Sequence, residues 1–152
     1  MTKWILSLLV LIMMSSTFAA DAEDEIAMIR EMAATERLAL VTANMDLTEA
    51  EGKAFWPLYR QYRTDVTKLD DRGLAMIEDY AENSQDMSNE KARQITEEWF
   101  EIEQERLSVK QRHARKFRSA ISEIKVARLL QIENKIDAVN RLEVVSQIPL
   151  MQ

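Results

Sequence analysis

Residues 47–80 read LTEAEGKAFWPLYRQYRTDVTKLDDRGLAMIEDY, and this stretch decides the fold. Its apolar positions are Phe55, Tyr59, Tyr62, Val66, Leu69, Gly73, Met76 and Tyr80. They fall alternately four and three residues apart, the repeat of a helix that buries one continuous seam against a neighbour. A strand would alternate every second residue instead. Gly73 is the one seam position without a side chain to insert. Thr48 followed by Glu51 predicts the start. A hydroxyl cap and a carboxylate three residues later satisfy free backbone N–H groups of the first turn. Leu47 stands just before the cap, the place of a hydrophobic staple. The helix is expected to reach about Glu82, with Pro57 kinking it or delaying its regular start.

The same start signal recurs downstream. Met87-Ser88-Asn89-Glu90 again sets an apolar residue before a hydroxyl cap, predicting a helix from about Asn89 to Arg118. Within it Ile95, Trp99, Ile102 and Val109 form one seam. Phe100, Leu107, Ala114 and Ile121 form a neighbouring row, so this helix is expected to touch more than one partner. Ser122 caps a further helix over about Glu123 to Val145, with Val126, Leu129, Ile132, Ile136, Val139 and Leu142 as its apolar face. Upstream, Ile26, Ile29, Met32, Ala33 and Leu40 place a helix over about Asp24 to Asn44. Glu23, Asp24 and Glu25 lie at its start, where the macrodipole favours negative charge. Short connections imply antiparallel neighbours. The expected fold class is all-α: a long antiparallel helical hairpin with shorter flanking helices, about four helices.

Composition agrees with this. The 152 residues include two glycines and two prolines, too few turn residues for sandwiches, barrels or doubly wound folds. No cysteine and one histidine exclude disulfides, a thiol nucleophile and a cysteine–histidine metal cage. A net charge of −6 argues against a general nucleic-acid binder. A narrow helical rod leaves little room for a deep pocket, so no enzyme activity, catalytic residue, cofactor or metal is assigned.

Residues 1–22 have the layout of a bacterial secretory signal peptide. Lys3 is followed by the apolar run Trp4 to Met14 and the small, polar stretch Ser15 to Ala22. Cleavage after Ala19 or Ala22 meets the small-residue requirement. At ~1.5 Å per residue the apolar run reaches about 17 Å, short of a ~30 Å hydrocarbon core. Residues 23–152 are therefore expected to form a single all-helical domain in the periplasm. It would not span the membrane, although contact with its surface stays open. The absence of ATP there disfavours kinases and ATPases.

Two groups of residues are candidates for partner binding. Trp56 and Leu58 lie off the regular seam beside Pro57 and would form an apolar patch if exposed. Lys110, Arg112, Arg115, Lys116 and Arg118 make a basic run suited to an acidic protein or anionic headgroups. A solvated face is the plainer reading of that run, and core packing or gap filling the plainer reading of most aromatics and of Met28, Met32, Met45, Met76 and Met87. His113, inside the basic run, reads as a surface or seam histidine. Glu97, Glu98 and Glu101 have no Glu-x-x-His companion and read as a solvated face. The acidic half of this helix (Glu97, Glu98, Glu101, Glu103, Glu105) and its basic half are not obviously cancelled by an up-down fold. A second antiparallel copy, centred near Leu107 and Ser108, would set acid on base, so a homodimer is expected.

Leu47-Thr48-Glu49-Ala50-Glu51, opening a long helix in an exported, cysteine-free, all-helical chain, resembles the Leu-Thr-x-x-Gln motif of the Spy/CpxP-like periplasmic stress proteins. Glu51 replaces the glutamine but keeps the capping geometry. Met87-Ser88-Asn89-Glu90-Lys91 retains only the cap logic of a second copy. Glu49 to Tyr62 and Lys125 to Lys135 look like stretches of exported helical proteins near that family. The resemblance implies a homodimeric cradle of bent hairpins acting as an ATP-independent chaperone, an envelope-stress adaptor or, in a related branch, a zinc-binding resistance protein. One histidine and no cysteine speak against the zinc branch. The function expected is binding of unfolded or partner proteins in an envelope-stress response. The alternative is a structural or adaptor subunit with one fixed envelope partner.

Overall fold

The computed structural model describes residues 27, 28, 30–146 and 148–150. The expected signal peptide with its two cleavage positions, the acidic start Glu23 to Glu25, and Ile26 and Ile29 lie outside them. The protein is all-α, with four helices and, among the described residues, no strand. They are α1 (residues 30–45), α2 (Glu49–Asn83), α3 (Asn89–Phe117) and α4 (Glu123–Val145). The chain separates into two compact units, with the boundary between Asn44 and Met45. No helix among the described residues is long and apolar enough to cross a membrane.

In the first unit, α1 carries Thr42 and Asn44 side chains bonded back to the Leu38 and Leu40 carbonyls, both at 2.8 Å. Met32, Ala33 and Leu40 are exposed, contrary to their expected place on a buried face. Periodicity marks residues that share a face; it does not say that anything covers the face.

In the second unit the caps stand where their sequences predict. The Glu51 backbone N–H donates to Thr48 Oγ1 at 3.3 Å, and the Thr48 N–H donates to Glu51 Oε2 at 2.9 Å, closing the capping box. Ser88 and Ser122 cap α3 and α4 through the Lys91 and Lys125 N–H groups. Asp46 adopts φ 46°, the left-handed conformation that follows many helix ends and that Asp tolerates better than most residues. Helix α2 starts at Glu49, so Pro57 does not delay it. Pro57 lies on an exposed face, where water can take the carbonyl that its missing N–H leaves unpaired.

Helices α2 and α3 form the antiparallel hairpin. The pairs Asp79–Lys91, Arg72–Glu98, Asp70–Arg106 and Asp65–Arg112 run along both helices in opposite directions. Helix α4 returns parallel to α2, as Lys125–Glu51 and Tyr59–Glu133 show, and antiparallel to α3, as Lys110–Asp137 and Arg141–Glu103 show. The result is a bundle of three helices of unequal length. At ~1.5 Å rise, the 35 residues of α2, 29 of α3 and 23 of α4 span about 52, 44 and 35 Å.

The α2 seam is the spine of the core. Phe55, Tyr59, Tyr62, Val66, Leu69 and Tyr80 are buried, and Gly73 and Met76 half-buried. Ile95, Ile102, Val109, Ala114 and Phe117 of α3 meet them, with Ile121 and, from α4, Val126 and Leu129. The predicted second row of α3 holds only at Ala114 and Ile121; Phe100 and Leu107 are exposed, and Trp99 of the first seam is 45% exposed. Val139 and Leu142 are exposed too, because burial along α4 follows Val126, Leu129 and Glu133 and ends with the half-buried Ile136 and Asp137.

Candidate functional site

The unequal helix lengths create the site. Arg141 of α4 reaches Glu103 of α3 at 3.0 Å, and α4 ends at Val145. The N-terminal part of α3 and the C-terminal part of α2 therefore continue beyond the third helix, still carrying the apolar seam. Met76, Ile77 and Tyr80 of α2 and Ile95, Thr96 and Trp99 of α3 line an apolar groove of about 300 Å3. Residues Ile148, Pro149 and Leu150 border the same groove, and the Tyr80 hydroxyl donates to the Pro149 carbonyl at 2.7 Å. Trp99 packs its ring on Phe100 at 4.8 Å. A second hollow, about 580 Å3, lies at the hairpin turn between Tyr80, Ser84, Gln85, Asp86 and Met87, with Pro149 and Leu150. Glu78, Glu82 and Asp86 around this end are exposed and, among the described residues, in no ion pair. A third groove, between α3 and α4, is lined by Glu103, Arg106, Lys110, Asp137 and Arg141. Most of its charge is already matched across the groove, leaving the first groove as the one suited to an apolar ligand.

The residues singled out from sequence lie elsewhere. Trp56 and Leu58 are half-buried, not a free patch. The Trp56 indole stands over Gly52 and meets the Phe55 and Tyr59 rings edge-on at 4.9 and 5.7 Å. The basic run is divided among intrachain acids. Lys110 Nζ lies 3.1 Å from Asp137, Arg112 lies 3.1 Å from Asp65, and Arg118 grips Glu123 with two hydrogen bonds of 2.7 and 2.9 Å. Arg115 and Lys116 are exposed and make no ion pair among the described residues.

The acidic half of α3 is likewise matched within the chain. Arg72 lies within 3.0 Å of Glu98 and 2.9 Å of Glu105, Arg93 pairs with Glu97, and Arg141 with Glu103. Arg72 is held more firmly protonated by Glu105 and Glu98. The charge blocks that looked uncancelled are thus largely matched inside the fold, Arg115 and Lys116 excepted.

His113 is a seam residue, fully buried. Its Nε2 lies 2.9 Å from Asp65 Oδ2, and its ring meets Tyr62 at 5.5 Å. The His113 hydrogen bond, then Arg112, hold the Asp65 carboxyl below its usual range. Asp65 is therefore the acceptor and His113 Nε2 carries the hydrogen, leaving Nδ1 without a partner among the described residues. Glu133 is also fully buried. It accepts from the Tyr59 hydroxyl at 2.7 Å and lies 3.4 Å from Arg63. These groups tie the helices together. No group of three or more His, Cys, Asp or Glu among the described residues is placed to hold a metal ion.

No protein-family model, curated protein or solved structure matches this chain. The groove residues were visible in the sequence only as members of the two seams.

Proposed function

We propose that the chain is an exported periplasmic protein that binds unfolded or partner proteins without nucleotide, in the manner of the Spy/CpxP-like stress proteins. One observation carries the reading: the hairpin end presents an apolar groove with a half-exposed tryptophan in it. Apolar grooves left open by one helix's early end hold apolar segments of other chains by burial alone. At ~25 cal/mol per Å2, burying about 200 Å2 of apolar surface contributes about 5 kcal/mol before association costs. Association costs of about 4 kcal/mol or more offset most of this, so capture by the groove is weak and reversible and gains from further contacts along the client. Exposed Arg115 and Lys116, at the other end of α3, add charge that speeds encounter without fixing affinity.

The test is suppression of aggregation of an unfolding protein at near-stoichiometric dose without nucleotide. The wild type is expected to suppress it, and Trp99→Glu to lose most of the effect while melting at the same temperature. Absence of suppression by the wild type, together with a single strong pull-down partner, would favour a dedicated adaptor instead.

A further inference from the structure

We infer that residues 148–150 act as a resident stand-in for the groove's ligand, and that the ligand is an extended apolar segment flanked by basic residues. This rests on the protein-binding reading above and specifies what that site takes. Ile148-Pro149-Leu150 follows α4 as non-helical chain and lies along the groove at Met76, Ile77, Tyr80, Ile95 and Trp99. Its backbone is recognised as well as its side chains, because the Tyr80 hydroxyl donates to the Pro149 carbonyl at 2.7 Å. A hydroxyl that donates to a free backbone carbonyl does so whatever the side chain of that residue; the apolar walls select what flanks it.

The occupant fills the site incompletely. Leu150 is 91% exposed, so its side chain contributes little burial. Pro149 and Leu150 border both the apolar groove and the larger hollow at the hairpin turn, and Tyr80 lies between the two. Displacing residues 148–150 joins these spaces into one trough that a longer segment fills better. Asp86, which lines the hollow, is exposed and in no ion pair among the described residues, so a segment bearing Lys or Arg beside its apolar residues gains attraction there that the resident segment, without charge, does not.

The experiment is anisotropy of two labelled peptides, each an Ile-Pro-Leu core flanked by lysines or by glutamates, titrated with the full chain. The lysine-flanked peptide is expected to bind the wild type more tightly than the glutamate-flanked one, with the difference shrinking in high salt. Ile148→Ser, and separately Ile148→Asp, weaken the resident segment at its half-buried residue. Each is expected to tighten the lysine-flanked peptide about tenfold, the factor for a site otherwise filled about 90% of the time. Unchanged affinity in both variants overturns the inference, as does equal binding of the two peptides or binding of neither. The same preparations are run in the aggregation assay. Suppression that persists without peptide competition sinks this inference and leaves the protein-binding reading standing; loss of both sinks the reading itself.

Discussion

Two polar residues, buried Glu133 and half-buried Asp65, hold the fold together at the residue scale. Glu133 sits with no exposed surface, accepts from the Tyr59 hydroxyl at 2.7 Å and lies 3.4 Å from Arg63. Removing one partner of a buried carboxylate strands part of its desolvation cost. Tyr59→Phe is therefore expected to destabilise the bundle by about 1.5–3 kcal/mol, measured by urea unfolding, since hydrogen bonds to charged groups fall in that range. Asp65 gives the fold an acid limb. Its carboxyl lies below the usual range because of His113 and Arg112, so its stabilisation is complete above the unfolded value of about 3.9 and is lost as pH falls through the lower folded value. Asp65→Asn is expected to lower the melting temperature at neutral pH, with the gap to wild type closing as pH falls below about 4. A gap constant down to strong acid would contradict that role. Neither residue's importance was legible beforehand. Glu133 shares the burial stripe of Val126 and Leu129, but a carboxylate at such a position reads as exposed until its Tyr59 partner, from another helix, is placed.

At the scale of single helices the sequence was most readable. Thr48, Ser88 and Ser122 each begin a helix, because capping is a contact within four residues and needs no tertiary information. The α2 seam was legible for the same reason, as a property of one helix's own repeat. Gly73 is its weak link: it is helical, and a Cβ built there meets no atom within 4 Å. Gly73→Ala is expected to stabilise the protein by about 0.5–1 kcal/mol through helix propensity alone, read as a shift in the urea midpoint. A destabilised variant would mean that α2 is not a regular helix at that point. The α3 rows were read less well. Phe100, Leu107 and Trp99 have the spacing of core residues, yet Leu107 is exposed even between the Lys110–Asp137 and Glu103–Arg141 pairs, so spacing marks a shared face without saying that a neighbour covers it.

At the scale of the bundle, the decisive quantity is the mismatch between about 52 and 44 Å of hairpin and about 35 Å of third helix. It leaves the apolar seam running past its cover, and the groove follows. It also changes what self-association would rest on. With the acids of α3 largely matched inside the chain, pairing of two copies is proposed to use exposed Phe100 and Leu107 of α3. Sedimentation at micromolar concentration is then expected to show a dimer little affected by salt and dissociated by Leu107→Glu. A strictly monomeric mass in low and high salt would exclude it. The central claim remains the groove. Its most direct measurement is photocrosslinking to an unfolding protein from two exposed positions, with a photoreactive phenylalanine analogue replacing either Trp99 in the groove or Ile124 at the opposite end of the bundle. Strong adducts are expected from position 99 and few from position 124. Equal yields from both positions, or adducts from position 124 alone, would contradict it.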